Sequence, residues 1–77
     1  MPTSITVSRD PSEYRPTIHA GQRAKERGIN WDRVADAIDG GEVRQTHRRG
    51  CRLFVDDGVG VVVDVADREI LTVGWYE

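Results

Sequence analysis

The chain has a single cysteine, Cys51, so it forms no internal disulfide, and no second Cys or His pair stands near His47 and Cys51 to complete a zinc site. It has one lysine, Lys25; the other ten strong bases are arginines, a bias that a GC-rich or salt-adapted genome also produces. It has no surplus of positive charge. Thirteen acidic residues against eleven basic ones leave a formal charge of −2, which excludes a general polyelectrolyte binder and confines any anion site to a local patch. The longest apolar stretch, in "VGVVVDVA", is far too short to span a bilayer, and "MPTSITVSRD" lacks the apolar core of a signal peptide. The expectation is a soluble, cytoplasmic protein without membrane contact. No Gly-rich phosphate loop follows a strand, no Ser-His-Asp set is present, and no cofactor or metal is expected.

What remains is enough for one small domain, since a chain of 77 residues buries only about 60% of its unfolded surface. Residues 1–16 carry all three prolines and read as an extended arm, with a short strand at 4–8. Residues 17–77 then form a single α+β domain. Thr17 is placed to cap a helix over about 18–27, and Gly28 to end it in the left-handed conformation. Asn30 caps a second helix, with Ile29 and Val34 at the spacing of a hydrophobic staple and Gly40-Gly41 as the stop. So tight a link predicts a helical hairpin, with Trp31, Val34, Ala35 and Ile38 on its apolar face.

From Glu42 the pattern turns to β: "EVRQTH", "CRLFVD", "VGVVVDV" and "EILTVGWY" are rich in β-branched and aromatic residues and are divided by short turns. The expected architecture is two N-terminal helices packed on a four-stranded antiparallel sheet. Alternation assigns Val43, Leu53, Val55, Val61, Val63, Val65, Leu71 and Val73 to the helix side. It assigns Arg44, Thr46, Arg48, Arg52, Phe54, Val62, Asp64, Ile70 and Thr72 to the open side.

Two groups of residues carry candidate chemistry. On the first helix His19, Arg23 and Arg27 follow one another at i, i+4 and i+8, a stripe in which like charges repel and which an isolated helix does not favour. A histidine moves protons near neutral pH and an arginine fork holds phosphate oxygens, the parts that metal-free RNA cleavage requires. The plainer account is a solvated face, with Glu26 offsetting Arg23. In "RQTHRRGCR", Arg44, Arg48, Arg49 and Arg52 surround the first hairpin turn, either as RNA-backbone contacts or as charges that guard an edge strand. Asp56-Asp57 reads as turn chemistry, Asp64 as a solvent-facing carboxylate or a partner of Arg52, Trp31 as core, and Trp75 and Tyr76 as packing residues or base-stacking surfaces.

The order His-Ala-x-x-Arg-x-x-x-Arg-Gly-Ile, here "HAGQRAKERGI", followed by an amphipathic helix, a Gly-Glu step and "VVVD…ILTV", resembles the prokaryotic family called domain of unknown function 4258. The resemblance covers residues 17–73. That family looks like a branch of the RelE-like toxin fold, whose members are often metal-independent ribonucleases. The resemblance implies two helices before a four-stranded antiparallel sheet and matches His19, Arg23, Arg27 and Thr72 to the family's recurrent polar positions.

Two functions follow as expectations. One is a metal-independent ribonuclease-like domain, the toxin of a toxin–antitoxin pair, in which His19 moves a proton, Arg23, Arg27 and Arg52 hold the scissile phosphate, and Thr72 belongs to the same catalytic set. The other is a non-catalytic module that binds a partner protein or RNA through the open sheet face, which suits the slight acidity and the ending "GWYE". The partners implied are RNA, an antitoxin-like protein and a second copy of the chain.

Overall fold

The computed structural model describes residues 7–76. The expected strand at 4–8 falls largely outside them, and Val7 and Ser8 are not in a strand. The rest of the expected arm is structured: a 3-10 turn at Pro11–Glu13, capped by the Asp10 carboxylate, leads to a two-residue strand, β1 (Arg15–Pro16). Then come α1 (Ile18–Glu26), α2 (Trp31–Gly40), β2 (Glu42–Gln45), β3 (Cys51–Asp56), β4 (Val59–Asp64) and β5 (Glu69–Trp75). The fold is α+β with two helices, as the residue pattern implies. The sheet, however, has five strands in the order β1-β5-β4-β3-β2, and β1 runs parallel to β5. The four-strand expectation missed β1 because a proline in a two-residue strand gives no alternation to read.

The helix ends follow their capping chemistry. The Thr17 hydroxyl accepts the Ala20 N–H at 3.1 Å and donates to the Ile70 carbonyl at 2.9 Å, tying the start of α1 to β5. At the other end the Gly28 N–H donates to the Lys25 carbonyl and the Ile29 N–H to the Ala24 carbonyl, the paired bonds of a Schellman motif. Gly28 sits at φ +66°, so Gly28→Ala is expected to cost about 1 kcal/mol, read as a lower midpoint in urea unfolding with an unchanged slope. Asn30 accepts the Asp32 N–H at 2.8 Å, and Ile29 and Val34 are both buried.

The expected helical hairpin does not form as a packing unit. Each helix packs chiefly on the sheet, α1 along β5 and α2 across β3 and β4. The buried residues of α1 are Ala20 and Ala24, which offer little apolar area to another helix but allow close approach to a strand. Arg9 closes the far end of α2: its guanidinium donates to the Ile38 carbonyl at 2.8 Å and to the Gly41 carbonyl, and lies over the Phe54 ring.

The core is one cluster whose central row crosses the sheet as Val43, Phe54, Val61 and Val73, cross-strand neighbours in the ladder. This reverses the expected phase of β3. Phe54 is fully buried on the helix side, whereas Leu53 and Val55 are only partly buried on the open side. Arg52, opposite Val63, also lies on the helix side and not on the open face. On β5 the register shifts between Val62 and Val63, which pair with Thr72 and Ile70, so Leu71 is the extra residue of a bulge. Ile70 is therefore buried where strict alternation turned it outward. Trp31 is 43% exposed rather than core, whereas Tyr14, from the expected arm, is buried and meets Phe54 edge-on with centroids 6.3 Å apart.

Candidate functional site

The open face of the sheet carries Arg44, Leu53, Val62 and Thr72 in one row, with Val55, Gly60 and Gly74 in the next. Two glycines opposite each other in β-branched strands leave a depression. Tyr76 closes one side of it, its backbone N–H on the Gly58 carbonyl at 2.6 Å and its side chain over Gly60. The result is a shallow cavity of about 140 Å³ lined by Arg27, Leu53, Gly60, Val62, Thr72, Gly74, Trp75 and Tyr76.

Arg27 reaches this face from α1. Thr17 sits beside Ile70 and Arg27 beside Val73, so α1 runs along the edge of β5 in the same direction. The Arg27 guanidinium donates to the Val73 carbonyl at 2.7 Å, satisfying an edge acceptor, and lies over the outward side of Gly74. The Trp75 indole N–H donates to the Arg27 carbonyl at 2.9 Å. Arg27 and Thr72, far apart in sequence, thus meet at one cavity.

His19 does not join them. Eight residues of helix separate it from Arg27 by about 12 Å, and each four-residue step lags by about 40°, so the stripe turns from the sheet toward solvent as it approaches His19. The His19 side chain is exposed, and Arg23 between them is paired with Glu26.

The hairpin cations divide as well. Arg44 lies at the far rim of the open face, donating to Glu42 at 2.9 Å and to the Tyr76 hydroxyl at 3.2 Å, with its guanidinium over the Tyr76 ring. These bonds, the Glu42 carboxylate first, raise the pKa of Arg44 above its ordinary value, and Arg44 in turn holds Glu42 below the usual carboxylate value. Arg48 and Arg49 are exposed in the loop between β2 and β3, which Thr46 orders by accepting the Arg48 N–H and donating to the Arg48 carbonyl. Arg52 donates to the carbonyl of Cys51 on the opposite face from Arg44. Asp64 accepts the Asp67 N–H in the β4–β5 turn and is not a partner of Arg52.

The sequence offered Tyr76 as a packing residue or a base-stacking surface and did not join it to the candidate catalytic set, whereas it lines the cavity and its hydroxyl accepts from Arg44. Its signal was the pair Gly60 and Gly74, which becomes legible once the strands are placed in register. Among the described residues no cluster of three or more His, Cys, Asp or Glu is placed to hold a metal, and no helix is long and apolar enough to cross a membrane. No protein-family model, curated protein or solved structure matches the chain.

Proposed function

We propose that the domain binds RNA on its open sheet face and is ribonuclease-like in the sense the family resemblance implies, with Arg27 and Thr72 at the centre of the site. The observation that carries this reading is the meeting of these two residues at one cavity whose lining, among the described residues, contains no carboxylate. A guanidinium has five N–H donors, and among the described residues the Arg27 side chain donates to the Val73 carbonyl alone, which leaves donors for phosphate oxygens. Cleavage without a metal also requires groups that move protons. The Thr72 and Tyr76 side chains stand at the cavity, whereas His19 and Arg23 form a rail along α1 that follows the backbone of a longer strand.

The test combines RNA binding and cleavage in the presence of a chelator. Arg27→Ala is expected to weaken binding by roughly 10- to 100-fold, the equivalent of about 1.5–3 kcal/mol for a hydrogen bond to a charged group, and His19→Ala by less. Growth arrest on expression that Arg27→Ala relieves supports the toxin role. Purified protein that neither binds nor cuts a varied set of RNAs sinks the reading.

A second reading, a non-catalytic module for an antitoxin-like protein, is favoured by the partly buried aliphatic residues Leu53, Val55 and Val62 on the same face. It requires that charge reversal at Arg48 and Arg49 weaken capture of the partner while His19→Ala changes nothing.

A further inference from the structure

The two edges of the sheet differ in how open they are to another strand. The β1 edge is two residues long, and Pro16 removes one of its donors. The β2 edge has four residues, Glu42, Val43, Arg44 and Gln45, with no proline or glycine, and it pairs with β3 without a break in register. Among the described residues no other strand lies beyond it. Such an edge offers unused backbone donors and acceptors to another chain.

The turn between β3 and β4 identifies those groups. A two-residue hairpin turn makes its flanking residues, Asp56 and Val59, a hydrogen-bonded pair, and such pairs alternate along an antiparallel ladder. The Tyr76 N–H on the Gly58 carbonyl and the Val65 N–H on the Gly50 carbonyl fit the same phase. Leu53 and Val55 therefore direct their backbone groups to β2, where they meet those of Arg44 and Glu42. Val43 and Gln45 turn their N–H and C=O groups outward.

Charge selects the strand that fits. We propose that the β2 edge pairs antiparallel with β2 of a second copy of this chain, about a twofold axis at Val43. In that register the two Val43 residues stand opposite each other and exchange two main-chain hydrogen bonds. Glu42 of each copy stands opposite Arg44 of the other, so both cross-strand pairs join opposite charges. Moving the axis to Arg44 sets two arginines face to face, which like-charge repulsion disfavours. The core row of Val43, Phe54, Val61 and Val73 continues into the second sheet.

The strand ends carry a second complementarity. Antiparallel pairing brings the end of β2, with the exposed Arg48 and Arg49 beyond it, to the start of β2 in the second copy, where α2 ends. That end of α2 carries the exposed Asp36 and Asp39 and has no basic residue in its last turn, the wrong charge for a helix C-terminus. Among the described residues none of these four charges forms an ion pair within the chain. A second copy supplies each acidic helix end with a basic loop.

The test is sedimentation equilibrium of the full chain at low salt over a range of concentrations. The expected result is a mass that rises from one copy towards two, as a weak dimer with a small interface gives. Glu42→Arg and Arg44→Glu are each expected to weaken association by roughly 5-fold or more, because two opposite-charge pairs become like-charge pairs. Mixed in equal amounts, the two variants are expected to associate again, since each supplies the charge that the other lacks. Mixing restores nothing if Glu42 and Arg44 serve only each other within one chain. Val43→Pro removes an outward N–H, leaves the bonds of Glu42 and Arg44 to β3, and is expected to abolish the dimer while circular dichroism remains that of the folded chain. A mass of one copy at every concentration overturns the proposal, whether residues 1–6 of the same chain or another protein then takes the edge. Association that folded Val43→Pro and the charge variants leave unchanged also overturns it and assigns the dimer to another surface. A mixture no more associated than its two components overturns it as well, even where Val43→Pro fails to fold.

Discussion

Phe54→Ala is expected to cost about 3–5 kcal/mol, the range for truncating a buried aromatic ring, and to lower the urea midpoint accordingly. A domain of this length has a total stability of about 4–12 kcal/mol at the usual contribution per residue, so the loss takes a third or more of it, and at the lower end of that range unfolds the variant at ambient temperature. The ring is fully buried, meets Tyr14 edge-on and carries the Arg9 guanidinium on its face, so its loss opens a cavity and removes the aromatic support of the Arg9 plug. Leu53→Ala, one residue away, is expected to cost only about 1 kcal/mol, because the side chain is partly exposed and loses a fraction of its transfer energy. The opposite order, with Leu53→Ala the more damaging, would mean that β3 presents its other face to the helices.

The same two residues mark where the sequence was legible and where it was not. Both helices, their caps and the spans of the four longer strands follow from local chemistry: Thr17, Gly28 and Asn30 act on backbone groups a few residues away. Which face of β3 turns inward is not local, since Leu53, Phe54 and Val55 are all apolar and alternation fits either phase. The missing information was in "DDGV". Asp57 and Gly58 both adopt positive φ, 49° and 81°, as a two-residue hairpin turn demands, and that turn sets Asp56 against Val59 and hence Phe54 against Val61. Directly opposed residues share a face. Once Val61 is assigned to the core, Phe54 must follow. The bulge at Leu71 and the strand at Arg15–Pro16 carry no comparable local mark, and they decide the facing of Ile70 and the parallel edge.

The candidate site was legible in part for the same reason. Helical periodicity grouped His19, Arg23 and Arg27, but it treats the stripe as one line, whereas the sheet meets it only at the Arg27 end. Arg52 was assigned outward by the same phase error that misplaced Phe54. Cavity formation depends on Gly60 facing Gly74, with Tyr76 over the first and Arg27 over the second, contacts between residues far apart in the chain.

Gly41→Ala is expected to be nearly as damaging as the loss of the ring, although it adds a single methyl group. A Cβ at this position would overlap the Ala37 carbonyl oxygen and lie 2.8 Å from the Val55 carbonyl oxygen, both backbone atoms that no rotamer change can move. Its φ of −75° and ψ of 169° suit any residue, so the requirement for glycine is one of space and not of backbone conformation. Relief requires the end of α2 to separate from β3. That separation would break the bond from the Gly41 N–H to Ala37 at 2.9 Å and displace the carbonyl that receives Arg9. Overpacking of this kind costs about 1–3 kcal/mol and occasionally more, and the upper part of that range is expected because neither neighbour can yield alone. Gly40→Ala supplies the control: nothing lies within 4 Å of its Cβ position, it is helical, and alanine there is expected to be neutral or stabilising by about 0.5–1 kcal/mol. Equal midpoints for the two variants in urea unfolding would show that α2 does not seat against the Val55 carbonyl, and that Arg9 closes the helix end in some other geometry.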